Sequence, residues 1–162
     1  MDTGRLTRGQ AIAALGGVVL FVSLFLDWYS LDAGELGPVL GGIDLSASGW
    51  EAFSWVDLLC AVTAITAVGA AVVTATSRTV ASPVGTSVVV AGLGAVSAVV
   101  ILYRIVNQPG PNDLIVVEVG AYLGFIAAVA VAVGGWLEMR ERDEVPPGLR
   151  SRLGRLFPPS DR

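Results

Sequence analysis

The sequence predicts an all-α protein, an antiparallel four-helix transmembrane bundle, with room for a small β-hairpin in its first outer loop. Three observations carry that prediction. Four apolar stretches at 10–26, 54–76, 84–106 and 114–137 are each about 17 to 24 residues long, which at about 1.5 Å per helical residue matches a hydrocarbon core of about 30 Å. Hydrophobic residues make up 54% of the chain and charged ones only 15%, with a mean hydropathy of +0.72, a balance rare in soluble domains. Finally, the arginines fall almost entirely on one side of the spans.

That last point sets the orientation. Arg5 and Arg8 precede the first span, Arg78 lies between the second and third, and Arg140, Arg142, Arg150, Arg152, Arg155 and Arg162 follow the fourth; only Arg104 falls on the opposite side. Basic residues in short flanking segments are retained on the cytoplasmic face. Both termini are therefore expected in the cytoplasm of a bacterial cell, with the chain in its plasma membrane. The segments are an N-terminus at 1–9, a membrane domain at 10–137 and a cytoplasmic tail at 138–162. Arg5 and Arg8 before an apolar run also resemble a signal peptide, but 26–30 reads Leu-Asp-Trp-Tyr-Ser with no small-x-small cleavage site, which favours an uncleaved anchor.

The span ends carry aromatic residues, as expected at headgroup depth. Trp28 and Tyr29 close the first span, Trp55 opens the second, Tyr103 ends the third and Trp136 marks the end of the fourth. Before span two, Ser48-x-x-Glu51 and Ser54-x-x-Asp57 both fit the capping box, in which hydroxyl and acid satisfy orphan backbone donors. Two boxes suggest a short interfacial helix at 49–53 ahead of the span, or one continuous helix from Gly49.

The first outer loop, 27–53, alternates apolar residues around Gly and Pro. A hairpin with Leu31 on one arm and Val39, Ile43 and Leu45 on the other fits that pattern. The loop also holds Asp32, Glu35, Asp44 and Glu51 with no basic residue, so that these acids with Trp50 form an acidic candidate surface for interaction. The connections at 77–83 and 107–113 are short, which makes consecutive helices antiparallel neighbours.

Helices in lipid associate by close packing, because burying apolar side chains gains little when the solvent is hydrocarbon. Gly120-x-x-x-Gly124, Ala13-x-x-x-Gly17 and Gly94-x-x-x-Ala98 have the spacing of such contacts, and span two is rich in Ala with Gly69. Gly17, Gly69, Gly94, Gly120 and Gly124 are the packing candidates. Thr63, Thr66, Ser87 and Ser97 offer interhelical hydrogen bonds.

Ionisable residues at membrane depth are costly unless paired or hydrated, and so mark candidate sites. Asp57, Arg104 and Glu118 lie within about one turn of the outer interface, at one height in an antiparallel arrangement. They are expected to form an ion cluster, Arg104 pairing with Glu118, Asp57 or both, with Asp27 nearby.

Several chemistries are excluded. There is no histidine, and Cys60 is the single cysteine, so disulfides, thiol relays, the usual zinc and haem ligand sets and Ser-His or Cys-His nucleophiles lack their parts. No cofactor, metal or nucleic acid is expected, and no catalysis. The span centres are uncharged, whereas transporters place polar groups or broken helices there. The expected role is structural, accessory or interactive, with the lipid bilayer and a membrane-protein partner or further copies of the chain as partners. A small transporter or transporter subunit working through Asp57, Arg104 and Glu118 is the alternative, and an intramembrane enzyme using Asp57 and Glu118 a more distant one. The end of the tail, 149–157, carries Leu149, Leu153 and Leu156 among Arg150, Arg152 and Arg155, a pattern suited to a membrane surface or to a solvated tail.

The blocks Phe25-Leu-Asp-Trp-Tyr-Ser, Ser48-Gly-Trp-Glu-Ala-Phe-Ser-Trp-Val-Asp-Leu-Leu, Leu102-Tyr-Arg-Ile-Val-Asn-Gln-Pro-Gly and Gly120-Ala-Tyr-Leu-Gly resemble a group of four-span membrane proteins of high-GC actinobacteria. An arginine-only basic complement suits such a source. The resemblance runs from Gln10 to Arg142 and implies the four-span fold without implying an activity. A looser likeness is to claudin-type proteins, which share four spans and a long first outer loop, although the cysteine pair of that loop is missing here.

Overall fold

A computed structural model describes residues 6–31, 46–48, 50, 54–76, 85–107 and 115–141. Its elements in chain order are α1 (Arg8–Ser23), β1 (Asp27–Leu31), β2 (Ser46–Ser48), α2 (Ser54–Thr76), α3 (Thr86–Val106), β3 (Ile115–Val117) and α4 (Val119–Glu141). Helices α2, α3 and α4 are long and apolar enough to cross a membrane, with best windows of mean hydropathy 2.2, 2.2 and 1.8. α1 has 16 residues, about 24 Å of helix, and is shorter than the 17 residues expected at 10–26. Its first turn is capped by Thr7, whose hydroxyl accepts the Gln10 N–H at 3.1 Å, as an N-cap residue does.

The helices pack side by side, α1 against α4 and α2, and α3 against α4 and α2. Each neighbouring pair is antiparallel: Gly9 lies against Gly134 and Glu138, Gly17 against Ala64, and Gly94 against Ala132. The interior is built from small residues. Ala13, Ala64, Ala67, Ala121, Ala127 and Ala128 are all buried, while Leu15, Leu58, Ile65, Val99, Val106 and Ile126 are each more than 60% exposed. That is the reverse of a water-soluble helical protein, in which large aliphatic side chains fill the core.

Glycine sets how near the helix axes come. A Cβ on Gly9 would run into the Glu138 backbone nitrogen, and one on Gly134 into that of Ala13, so α1 and α4 touch main chain to main chain. A Cβ on Gly94 would stand 2.5 Å from the Ala132 nitrogen, and one on Gly135 2.6 Å from the Ala91 nitrogen, which makes α3 and α4 equally close. Gly17 is in milder contact, 3.0 Å from the Ala64 carbonyl oxygen. Gly69, grouped with these by spacing, differs: nothing lies within 4 Å of its Cβ position. It opens onto an apolar groove of about 440 Å³ between α1 and α2, lined also by Phe21, Val22, Ile65 and Val72. A hydroxyl pair crosses between helices, Thr63 with Ser97 at 2.9 Å. Thr66 instead bonds the Val62 carbonyl of its own helix at 2.7 Å.

Three stretches depart from the sequence reading. The first-loop strand is β1, paired antiparallel with β2, and a third strand, β3, joins on the other side to give the order β2-β1-β3. β3 occupies the residues expected to open the fourth span, which begins instead at Val119. The hairpin arm at Val39, Ile43 and Leu45 lies outside the described residues, as does the proposed helix at 49–53 apart from Trp50. Trp28 and Tyr29 are not an interfacial belt: they are 0% and 4% exposed. Lastly, α4 runs on to Glu141, with Glu138 and Met139 buried, past the point where the tail was expected to start.

The glycine contacts generate a paired expectation. Gly134→Ala inserts a methyl between two backbones and is expected to destabilise by about 1–3 kcal/mol, the usual range for overpacking. Gly69→Ala fills open space and removes a helix-interior glycine, so it should be neutral or stabilising by about 0.5–1 kcal/mol. Thermal unfolding of the two variants in detergent checks the contrast.

Candidate functional site

The sheet end of the molecule holds all three ionisable residues singled out from sequence, and β1 organises them. At the end of α1 the chain turns through Leu24, Phe25 and Leu26, whose N–H groups donate to Phe21, Val22 and Ser23 carbonyls, and enters β1. The register between β1 and β2 shifts at Trp28: Asp27 faces Ser48 while Tyr29 faces Ala47. A bulge of this kind adds a residue and interrupts the alternation of faces. Trp28 and Tyr29, adjacent in sequence, are consequently both buried.

Trp28 is the largest fully buried side chain. Its Nε1 donates to the Ser23 carbonyl at 2.7 Å, which supplies the partner a buried indole requires. The ring lies on α4 where two glycines make space: a Cβ on Gly124 would be 2.9 Å from Trp28 Cζ2, and one on Gly120 2.8 Å from Cδ1 and 2.5 Å from the Asp27 carbonyl oxygen. Gly120 and Gly124 thus admit a strand and an indole, where spacing alone suggested another helix.

The next two residues reach the charged groups. The Tyr29 hydroxyl donates to the Arg104 carbonyl oxygen at 3.2 Å. Ser30 donates its hydroxyl to Glu118 Oε1 at 2.6 Å, a short bond of the charge-assisted kind. The Glu118 N–H donates to the Trp28 carbonyl at 2.9 Å, extending the ladder formed by Tyr29 with Val117 and Leu31 with Ile115. Arg104 from α3 and Glu118 from the start of α4 are therefore both tied to the first outer segment. Asp57, in the first turn of α2, is 1% exposed. It and Arg104 each hold at least one polar or electrostatic contact.

Burial raises the Tyr29 phenol from its ordinary value of 10.0 to about 12, against the smaller opposing pull of the Arg104 charge. The hydroxyl stays a neutral donor to the Arg104 carbonyl throughout the physiological range.

Of the acidic loop surface, Asp32, Glu35, Asp44 and Glu51 lie outside the described residues. Trp50 is exposed, and its ring stands 6.0 Å from that of Phe25, which in turn meets Phe21 edge-on at 5.4 Å. Trp55 and Tyr103 are exposed, as the aromatic belt requires, and Arg140 sits 5.4 Å over the Trp136 ring at the opposite end. Among the described residues no group of three or more His, Cys, Asp or Glu side chains is placed to hold a metal.

Of the residues that link the site, Trp28 and Tyr29 were assigned to the membrane interface by sequence and Ser30 to the first outer loop. A signal for them exists: an aromatic pair beside Asp27 and the three β-branched residues 115–117 both favour strands.

Because the folded chain holds the Tyr29 proton more tightly than the unfolded chain does, its contribution to stability is complete below pH 10. That contribution is lost as pH rises from about 10 to about 12. Tyr29→Phe removes both the titration and the bond to Arg104. It is expected to cost about 0.5–1.5 kcal/mol at neutral pH and to flatten the decline above pH 10, as read from unfolding midpoints across that range alongside phenolate absorbance. No protein-family model, curated protein or solved structure matches the chain.

Proposed function

We propose that the chain is a multi-pass protein of a bacterial plasma membrane, with all four helices in the bilayer as a four-helix bundle and both termini in the cytoplasm. Its role is structural or accessory, presenting the sheet end as an interaction surface on the outer side. The observation that carries this reading is the clasp itself. Ser30 on Glu118 and Tyr29 on Arg104 spend the polar groups of the site on joining two connections, which leaves a fixed outward-facing platform.

Several features support the membrane part. Many large aliphatic side chains face outward along helices whose interiors are rich in alanine and glycine, and the arginine distribution follows the positive-inside rule. α1 alone is about one turn short of the hydrocarbon thickness. Leu24, Phe25 and Leu26 add a further apolar turn before β1 begins.

Asp57 favours a second reading. A carboxylate at 1% exposure near the end of a span is the kind of group that small transporters use.

Two measurements separate these readings. Cys60 is buried, so a cysteine introduced at Glu35 or at Arg162 can be labelled selectively in intact cells. An impermeant maleimide is expected to reach position 35 and not 162, and the reverse pattern removes the proposed orientation. Crosslinking from position 35 in native membranes should capture a discrete protein partner or a second copy, while purified protein in liposomes should carry no proton or ion flux. Flux that disappears in Asp57→Asn establishes the transporter reading instead.

A further inference from the structure

The opposite end of the molecule, where α1 begins and α4 ends, holds a second set of buried polar groups that the clasp does not use. Ala13, Ala67, Val90 and Val131, one from each helix, form an apolar core cluster with Ala70 packed against it. One or two turns further toward this end, on the same helix faces, stand Gln10, Thr74, Ser87 and Glu138. Gln10 is 1% exposed, Ser87 2% and Glu138 2%. The antiparallel register brings them to one level. Gly134 and Glu138 lie against Gly9, beside Gln10, while Gly135 lies against Ala91, one turn from Ser87. The apolar layer is thus followed by a polar one to which each helix contributes an oxygen-bearing side chain.

Gln10 is the informative member. Its Nε2 donates to the Ala70 carbonyl at 3.2 Å and to Thr74 Oγ1 at 2.8 Å, and Thr74 in turn donates to Ala70 at 3.0 Å. The carbonyl of Ala70 accepts only, which fixes the nitrogen toward α2 and the amide oxygen on the other arm. That oxygen, Gln10 Oε1, is fully buried and has no hydrogen-bond partner among the described residues. An acceptor left so is costly and is normally met by a donor, a water or a cation.

We propose that this layer binds a small monovalent alkali cation, with Gln10 Oε1 and the Glu138 carboxylate as its principal ligands and the Ser87 hydroxyl oxygen beside them. The chemistry selects the class of ion. The donors are all oxygen, which suits hard cations, and histidine and thiolate, the ligands of zinc and copper, do not occur in the layer. Ser87 and Glu138 each already hold a polar or electrostatic contact, and with Glu138 as the one buried carboxylate described in the layer a singly charged ion suits it better than a divalent one. Calcium and magnesium sites gather more anionic oxygens or keep several waters. By tying α1 to α4 and α3, the ion would lock together the helix ends nearest both termini.

Sodium is the probe for the test. The full-length protein, purified in detergent, is unfolded thermally in sodium chloride and in N-methyl-D-glucamine chloride at equal ionic strength. Binding to the folded state alone raises the melting temperature with ligand concentration, so sodium should give a saturable rise of a few degrees that the bulky organic cation does not. Gln10→Met and Glu138→Gln should each abolish the sodium-specific rise, and amide hydrogen exchange should slow at the start of α1 and the end of α4 when sodium is added. Equal melting in the two salts overturns the proposal, since the layer is then closed by protein groups alone. Retention of the full rise in both variants overturns the placement. Should neither variant fold, the wild-type salt comparison and the location of the exchange protection decide the matter.

Discussion

Main-chain contact between helices is the constraint from which the rest of this structure follows. α1 and α4 meet at Gly9 and Gly134 with no room for a Cβ on either, and α3 meets α4 in the same way at Gly94 and Gly135. At such separations dispersion between backbones and small side chains supplies the attraction, because every atom in the contact has close neighbours. The consequence reaches the outer surface. With much of the interior given to alanine and glycine, Leu20, Leu24, Val56, Val90, Ile101 and Val131 fill the core that remains, while many of the leucines, valines and isoleucines project outward. Those residues are stable against hydrocarbon and costly against water, so close packing and the membrane environment are two aspects of one arrangement.

The same constraint creates the problem that the sheet end solves. Helices this close leave no space for a large side chain, yet the chain must cap the bundle where α1 stops after 16 residues. Gly120 and Gly124 resolve it by opening the first turns of α4 to the Trp28 ring and the Asp27 carbonyl. A bulge at Trp28 then allows Tyr29 to follow it inward and reach Arg104. The polar contacts of the site depend on this packing: without the indole seated on α4, Ser30 and Tyr29 have no reason to stand opposite Glu118 and the end of α3.

The helices were legible in the sequence because hydropathy reports length and apolarity directly; the expected second span, 54–76, coincides with α2. The heights of Asp57, Arg104 and Glu118 were legible too, since antiparallel connectivity fixes them. What hydropathy does not contain is which face a residue presents or what covers it. Trp28 and Tyr29 have the composition of an interfacial belt and the burial of a core. Ile115, Val116 and Val117 are as apolar as a span opening, and a short apolar run does not distinguish strand from helix by periodicity. Glu138 follows the last apolar residues of span four and reads as tail, although the helix carries it one turn further into contact with Gly9. Each case is a residue whose role is set by a partner distant in sequence.

The two ends therefore differ in how they treat polarity. At the sheet end, the Tyr29 and Ser30 hydroxyls are matched with the Arg104 backbone carbonyl and the Glu118 carboxylate, and so fasten two connections. At the other end, Gln10 is held by its nitrogen alone, and its oxygen stays buried without a hydrogen-bond partner in the layer that contains Glu138. A chain that needed only rigidity there would be served as well by a leucine or methionine at position 10, since apolar groups of similar shape are neutral or better where hydrogen bonding is incomplete. On the proposed reading, the glutamine makes the terminal end a place where a soluble cation can alter how firmly the helices are joined.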